Sequence, residues 1–344
     1  ASKKQLGHVG SGAQTEGMGE RVVPRRALSS LSSGSSSDRL ADLLSTTRPG
    51  HSIVWMAPCA QTFKSATAAS TGASELVFPD ASPTADFFHG ADVPDRPTTL
   101  VVSAQTVSRQ FMEAWRNCCL REDPLVLVRR GTSLGSIDID AAKELGIEVV
   151  NTPGVNSPHV ARFVVETLGL SEPVAGATSG AIKAVVIGSG SVGQVVIDSM
   201  RRVGVEPTVV DRSPDSIPLA EALRGATHVA VCAATSSEPI LTSEHVAELF
   251  VGEERPISIV SVSRPEAFSL EAIMMIAQRG KEQVQLRFDY GDSILAPTRD
   301  QVNHDGVKEN ITWSSKAMAS EACKQDMDEA VLSLLATTKA LIEK

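Results

Sequence analysis

The 344-residue chain has little aromatic content (4%, with a single tyrosine) and no apolar run of membrane-spanning length. A spanning helix needs about 20 consecutive apolar residues, so none is expected. Its five cysteines (Cys59, Cys118, Cys119, Cys232, Cys323) are odd in number and never spaced C-x-x-C. Neither a zinc site nor a disulfide framework follows, and a reducing compartment is the default. The adjacent Cys118 and Cys119 read as helix packing, not as a redox pair. Seven histidines are scattered without H-E-x-x-H or any other metal-ligand spacing. Acid is not scarce: the net charge is −9, yet residues 1–50 carry seven Lys/Arg against four Asp/Glu, leaving −12 on the rest. So acidic a body argues against nucleic acid as the main partner.

The strongest positive signal is the run Ala184-Val185-Val186-Ile187-Gly188-Ser189-Gly190-Ser191-Val192-Gly193. It reads as a buried strand entering G-x-G-x-x-G. An amphipathic helix and a second strand, 207–210, follow and end at Asp211. In that setting the fingerprint indicates a dinucleotide-binding unit. Gly188 permits the turn, Gly190 admits the pyrophosphate to the backbone, and Gly193 lets helix and strand pack closely. The N–H groups of Ser191, Val192 and Gly193 open the helix toward the phosphates. Asp211 would accept the adenosine ribose hydroxyls, favouring NAD, whereas Arg212 could accommodate the extra phosphate of NADP. The competing reading is a Rossmann-like unit that binds no dinucleotide.

Three regions are expected. Residues 1–50 are Gly/Ser-rich, with seven serines among positions 29–37 and Arg21, Arg25 and Arg26 just upstream. Such a segment has too little apolar surface to fold alone. Its Arg/Ser-rich, acid-poor character is that of organellar presequences, which predicts an organellar, most simply mitochondrial, location, with the cytoplasm as alternative. From residue 51 strands at 52–56, 74–78, 99–102, 125–128 and 147–150 alternate with helices, one at 60–70 and one at 137–145 among them. A turn, Asn151-Thr152-Pro153-Gly154, precedes a helix expected to take Ser157 as N-cap and Pro158 at N1. After the fingerprint unit come strands near 229–232, 258–262 and 284–288, and a long final helix, 320–342. The pattern predicts an α/β protein with two doubly wound parallel-sheet domains, flavodoxin-like and Rossmann, behind a low-complexity N-terminal extension. The boundaries read as 51–154 plus 311–344 for the substrate-type domain and 155–310 for the Rossmann domain.

From about residue 51 the chain resembles the D-isomer-specific 2-hydroxyacid dehydrogenases, of phosphoglycerate dehydrogenase type. The likeness rests on Arg130-Gly131-Thr132 through Ile137-Asp138-Ile139-Asp140, on Gly146 to Ser157, on Gly188 to Asp211, and on Val260-Ser261-Val262-Ser263-Arg264. It implies an active site in the cleft between the two domains, with Arg264 as the fork for a substrate carboxylate. A surface salt-bridge arginine is the alternative there. It also implies a histidine base and an orienting glutamate, and both are replaced. Ser314 stands at the histidine's position and Ser293 at the glutamate's, with Asp292 one residue off. Pro265-Glu266, Ser133 and Cys232-Ala233-Ala234 likewise depart from the family's Gly-Gly, substrate-loop glycine and His-x-Pro turn. The stretch 170–182, which supports dimer contacts in the family, is short. Serine has no pKa near neutrality and cannot act alone as a base. His159 is the best spare imidazole, although a solvent-facing place in a first helical turn is the expected one for it.

These readings predict a catalytically degenerate relative that still binds NAD. It would act as a structural or regulatory subunit whose N-terminal extension contacts other protein subunits. The alternatives are an active NAD-dependent oxidoreductase on a small 2-hydroxy or 2-oxo acid, and a dinucleotide sensor.

Overall fold

The computed structural model describes residues 52–60, 76–77, 83–89, 93, 96–173, 182–235, 237–252, 255–304, 306 and 308–342. The extension 1–50, the helix expected at 60–70 and most of the stretch 170–182 lie outside them. Two all-parallel sheets carry the fold. The first contains β1 (Ile53–Trp55), β2 (Leu76–Val77), β3 (Thr99–Val102), β4 (Leu125–Arg129) and β5 (Ile147–Asn151), in the order β2-β1-β3-β4-β5. This is the flavodoxin-like order. The second contains β6 (Ala184–Ile187), β7 (Thr208–Val210), β8 (His228–Val231), β9 (Ile257–Ser261), β10 (Val284–Asp289) and β11 (Ile311–Ser314), in the order β7-β6-β8-β9-β10-β11.

The sequences explain the sheets. β4 reads Leu-Val-Leu-Val before Arg129 and β6 reads Ala-Val-Val-Ile, all eight buried. Continuous apolar runs of this kind are what a sheet covered on both faces requires. The covering helices are α1 (Arg109–Cys118), α2 (Ile139–Glu144), α3 (Ser157–Thr167), α4 (Ser191–Arg202), α5 (Leu219–Leu223), α6 (Ser243–Leu249), α7 (Leu270–Ala277), α8 (Asp292–Val302) and α9 (Glu321–Ile342). Side-chain caps start several of them: Ser108 accepts the Phe111 N–H and Asp138 the Ala141 N–H. Phe111, Met112 and Trp115 of α1 cover one face of the first sheet. Val331, Leu332, Leu334 and Leu335 of α9 cover the other, against Trp55, Val101 and Val128. On the second sheet α3 and α4 share one core and α5 to α8 another.

Two expectations need correction. Asn156, not Ser157, is the N-cap of α3, which puts Ser157 at its first position and Pro158 one later. The strand 311–314, expected in the substrate-type domain, pairs in parallel with β10, from Leu286↔Ile311 to Asp289↔Ser314. The chain therefore returns to the first sheet only with α9. The stacking of Trp313 on Phe288, with centroids 4.7 Å apart, fixes that edge.

Candidate active site between the two sheets

In a parallel sheet, ligands bind beyond the carboxyl ends of the strands, where the strand order reverses. In the second sheet that place is β6, flanked by β7 and β8. The fingerprint leaves β6 there. Gly188 has φ +96°, and a Cβ on it would lie 2.6 Å from the Ala233 backbone. At Gly193 a Cβ would stand 1.8 Å from the Gly188 carbonyl oxygen. At Gly190 it would meet nothing within 4 Å. The outer two glycines thus close the turn, and the middle one faces open space. Gly190 caps α4, whose first intrahelical bond runs from Gln194 N–H to the Gly190 carbonyl (2.8 Å). The N–H groups of Ser191, Val192 and Gly193 precede it and point out of the helix end.

Asp211 follows β7 on the neighbouring strand. Its carboxylate accepts from the Ser189 hydroxyl and, at 2.8 Å, from the Ser213 N–H. These bonds, the Ser189 one foremost, hold its pKa below the ordinary carboxylate value. The carboxylate is thus ionised and aimed beside the glycine turn, as a ribose acceptor must be. Arg212 is exposed next to it. The residues present fit a dinucleotide: backbone N–H groups for the pyrophosphate, clear space above Gly190, and an acid for the ribose.

The positions implied for catalysis lie at the same edge, after β9, β10 and β11. Arg264 caps a short 3₁₀ turn, Pro265–Ala267. Its Nε lies 3.4 Å from the Glu266 carboxylate, and the two side chains are 46% and 55% exposed. Ser314 is the last residue of β11; its hydroxyl donates to the Asp289 carboxylate at 2.6 Å. Asp289 is buried and also accepts the N–H groups of Lys316 (2.7 Å) and Ala317 (2.9 Å). Ser293 is exposed in the first turn of α8, and the neighbouring Asp292 is engaged by Arg299 at 2.7 Å. At the cofactor-side turn, burial pushes the Cys232 thiol up to about 12, so it stays neutral. Burial likewise raises Cys118, and Cys119 to about 11, in keeping with packing roles.

His159 departs from its expected place. It does not face solvent: its side chain is 11% exposed, and Nε2 lies 2.7 Å from the Asp326 carboxylate. That contact joins α3, packed on the second sheet, to α9, packed on the first. Asn156 and Met318 make a second contact of this kind, 3.3 Å between Nδ2 and sulfur. Sequence reasoning missed both Asp289 and Asp326. Asp289 lies four residues before Ser293, so its position could have been flagged, though not its partners. Asp326 is one acid on a helix with several, and nothing local marks it.

Comparison with known proteins now bears on this geometry. The description "D-isomer specific 2-hydroxyacid dehydrogenase, catalytic domain" matches residues 58–339. The chain belongs to that family. A hydroxypyruvate reductase of Thermotoga maritima is 36% identical over 73 residues, 21% of this chain and 22% of that protein. Solved structures agree on the fold. The apo D-lactate dehydrogenase of Escherichia coli superposes with TM-score 0.65 at 15% identity, covering 84% of this chain and 97% of that one. The NAD+-bound 3-phosphoglycerate dehydrogenase of Entamoeba histolytica does so with TM-score 0.61 at 17% identity, covering 84% and 95%. The two-sheet architecture is thus that of the family.

Proposed function

We propose that this family member binds NAD in the cleft beside the Gly188–Gly193 turn and has lost the family's hydride-transfer chemistry, serving as a structural or regulatory subunit. The observation that carries the proposal is the bond from Ser314 to Asp289. The slot for a base holds a hydroxyl, and that hydroxyl is committed as a donor to a buried carboxylate that also holds the next turn. Glu266 engages Arg264, and an exposed serine fills the orienting slot. NAD is supported by the family, by the geometry around Gly190 and Asp211, and by the NAD-bound forms of structural relatives. The basic, serine-rich residues 1–50 beside an acidic body support a role in contacting other subunits, and an organellar location.

One observation favours a second reading, an active oxidoreductase. His159 paired with Asp326 has the composition of an oriented base. The deciding experiment is NADH oxidation by the full chain with glyoxylate, pyruvate and phosphohydroxypyruvate, alongside NAD calorimetry. NAD binding with turnover at background is the expected result, since a positioned base contributes about 10²–10⁴-fold. Robust turnover abolished in His159→Ala establishes the second reading instead.

A further inference from the structure

We infer that Ser189 is the positioning residue that sets the choice between NAD and NADP, by fixing the Asp211 carboxylate as the ribose acceptor. The arrangement starts from two paired strands. β6 and β7 run together as far as Ile187↔Val210, and the Gly188 N–H then donates to the Val210 carbonyl at 2.7 Å. One residue further on each chain, Ser189 meets Asp211, and its hydroxyl donates to Asp211 Oδ2. Oδ1 accepts the Ser213 N–H at 2.8 Å, and the Asp211 N–H donates to the Ser216 hydroxyl at 3.1 Å. Each carboxylate oxygen thus has its own donor, one from the glycine turn and one from the loop after β7. The carboxylate cannot rotate without breaking one of these bonds. Ser191, the other serine of the turn, is exposed and makes no such bond.

Charge decides what the fixed carboxylate admits. The Ser189 bond first, and the Ser213 bond after it, favour the ionised form. A ribose diol can donate to such a group, whereas a 2′-phosphate brings like charge against it. The residue able to receive that phosphate is Arg212, which is exposed and makes no hydrogen bond or ion pair among the described residues. Asp211 and Arg212 are adjacent and favour opposite dinucleotides. The acid is held in place from two sides, while the arginine is free. Ser189 supplies the one side-chain bond that ties the acid to the glycine turn, so it tips that contest toward NAD. The hydroxyl gives its single proton to Asp211 and keeps its lone pairs as acceptors. The inference rests on the proposed binding of NAD and adds what makes it selective.

The test is calorimetry of NAD and of NADP on the full chain, read as the ratio of the two affinities. The parent protein is expected to bind NAD at least about tenfold more tightly than NADP. Ser189→Ala is expected to lower that ratio about tenfold, as loss of a charge-assisted bond does, through weaker NAD and stronger NADP binding. Ser189→Thr keeps the hydroxyl and is expected to restore the ratio. Ser191→Ala alters the same turn without touching the bond and is expected to change both affinities together. Adding Arg212→Gln to Ser189→Ala should remove the gain in NADP affinity. Because the ratio compares two ligands on one preparation, a partly unfolded variant does not mimic the shift. A ratio unmoved by Ser189→Ala, or moved as far by Ser191→Ala, overturns the inference and leaves NAD binding standing. A parent protein that prefers NADP overturns it too. Absence of heat with either dinucleotide overturns the inference and the NAD reading together.

Discussion

The two halves of the second sheet's carboxyl edge are built from different material. After β6 the ligand-facing surface is backbone: a turn whose outer glycines exclude any Cβ and whose middle glycine leaves room. After β9, β10 and β11 it is side chains, and several are already answered by another residue. Ser314 is bound to Asp289, Arg264 to Glu266, Asp292 to Arg299. A backbone site survives as long as its glycines do, because nothing else fits. A side-chain site can be rewired one substitution at a time while the fold persists, since its groups need only find new partners.

The sharpest way to break this contrast is at the glycines. Gly193→Ala places a methyl 1.8 Å from the Gly188 carbonyl oxygen. It is expected to abolish NAD binding and to lower stability by about 3 kcal/mol, the upper range of overpacking, read from urea unfolding. At Gly190 a Cβ meets no atom within 4 Å, and Gly190→Val extends into that space. It should lower NAD affinity by about 100-fold or more in calorimetry while leaving the urea midpoint in place. Equal stability losses in the two variants would remove the distinction between a closing glycine and an admitting one.

The side-chain half should respond more gently. Asp289→Asn leaves one acceptor oxygen for three donors, a loss of about 2 kcal/mol. Ser314→Ala deletes one of the three bonds and keeps Asp289 satisfied by Lys316 and Ala317, for about 1 kcal/mol. Neither change should create turnover. If Ser314→Ala proves the costlier of the two in chemical denaturation, Asp289 is not the organiser of this turn.

The smallest expected effect is at Asp211. Its pKa is lowered in the folded state by the Ser189 and Ser213 bonds. Its contribution to stability is therefore fully present above the unfolded carboxylate value of about 3.9 and is lost as pH falls through the folded value. Ser189→Ala raises the folded pKa, so the variant should be slightly less stable than the parent at pH 7, with the difference vanishing as pH falls and Asp211 protonates. An acid limb identical to that of the parent protein, followed by fluorescence, would show that the hydroxyl does not hold the carboxylate.

These contrasts explain what was legible in advance. The glycine turn was readable because backbone geometry imposes a residue type at each position, and Gly188 and Gly193 admit no Cβ while Gly190 faces open space. The positions that the resemblance assigns to catalysis were readable only through it, and the proposal that they have been replaced rests on it as well. That Ser314 donates to Asp289 follows from β11 joining β10, a pairing that the four residues 311–314 do not announce. Domain membership failed at the same point for the same reason. His159 was misplaced because its neighbour Asp326 lies 167 residues away in sequence.

The sequence by itself determined the α/β class, the two parallel sheets and the dinucleotide turn, since each depends on local periodicity or on a residue type that one conformation demands. Only the tertiary structure decided which polar groups are spent and which are left over. Arg129 and Arg130 are adjacent and chemically identical. One is held by Asp328 from α9, and the other gives its Nη1 to the Arg130 carbonyl and buries its Nε without a partner. Alternation along a strand sends neighbouring side chains to opposite faces, and what waits on each face is set by chain segments far away.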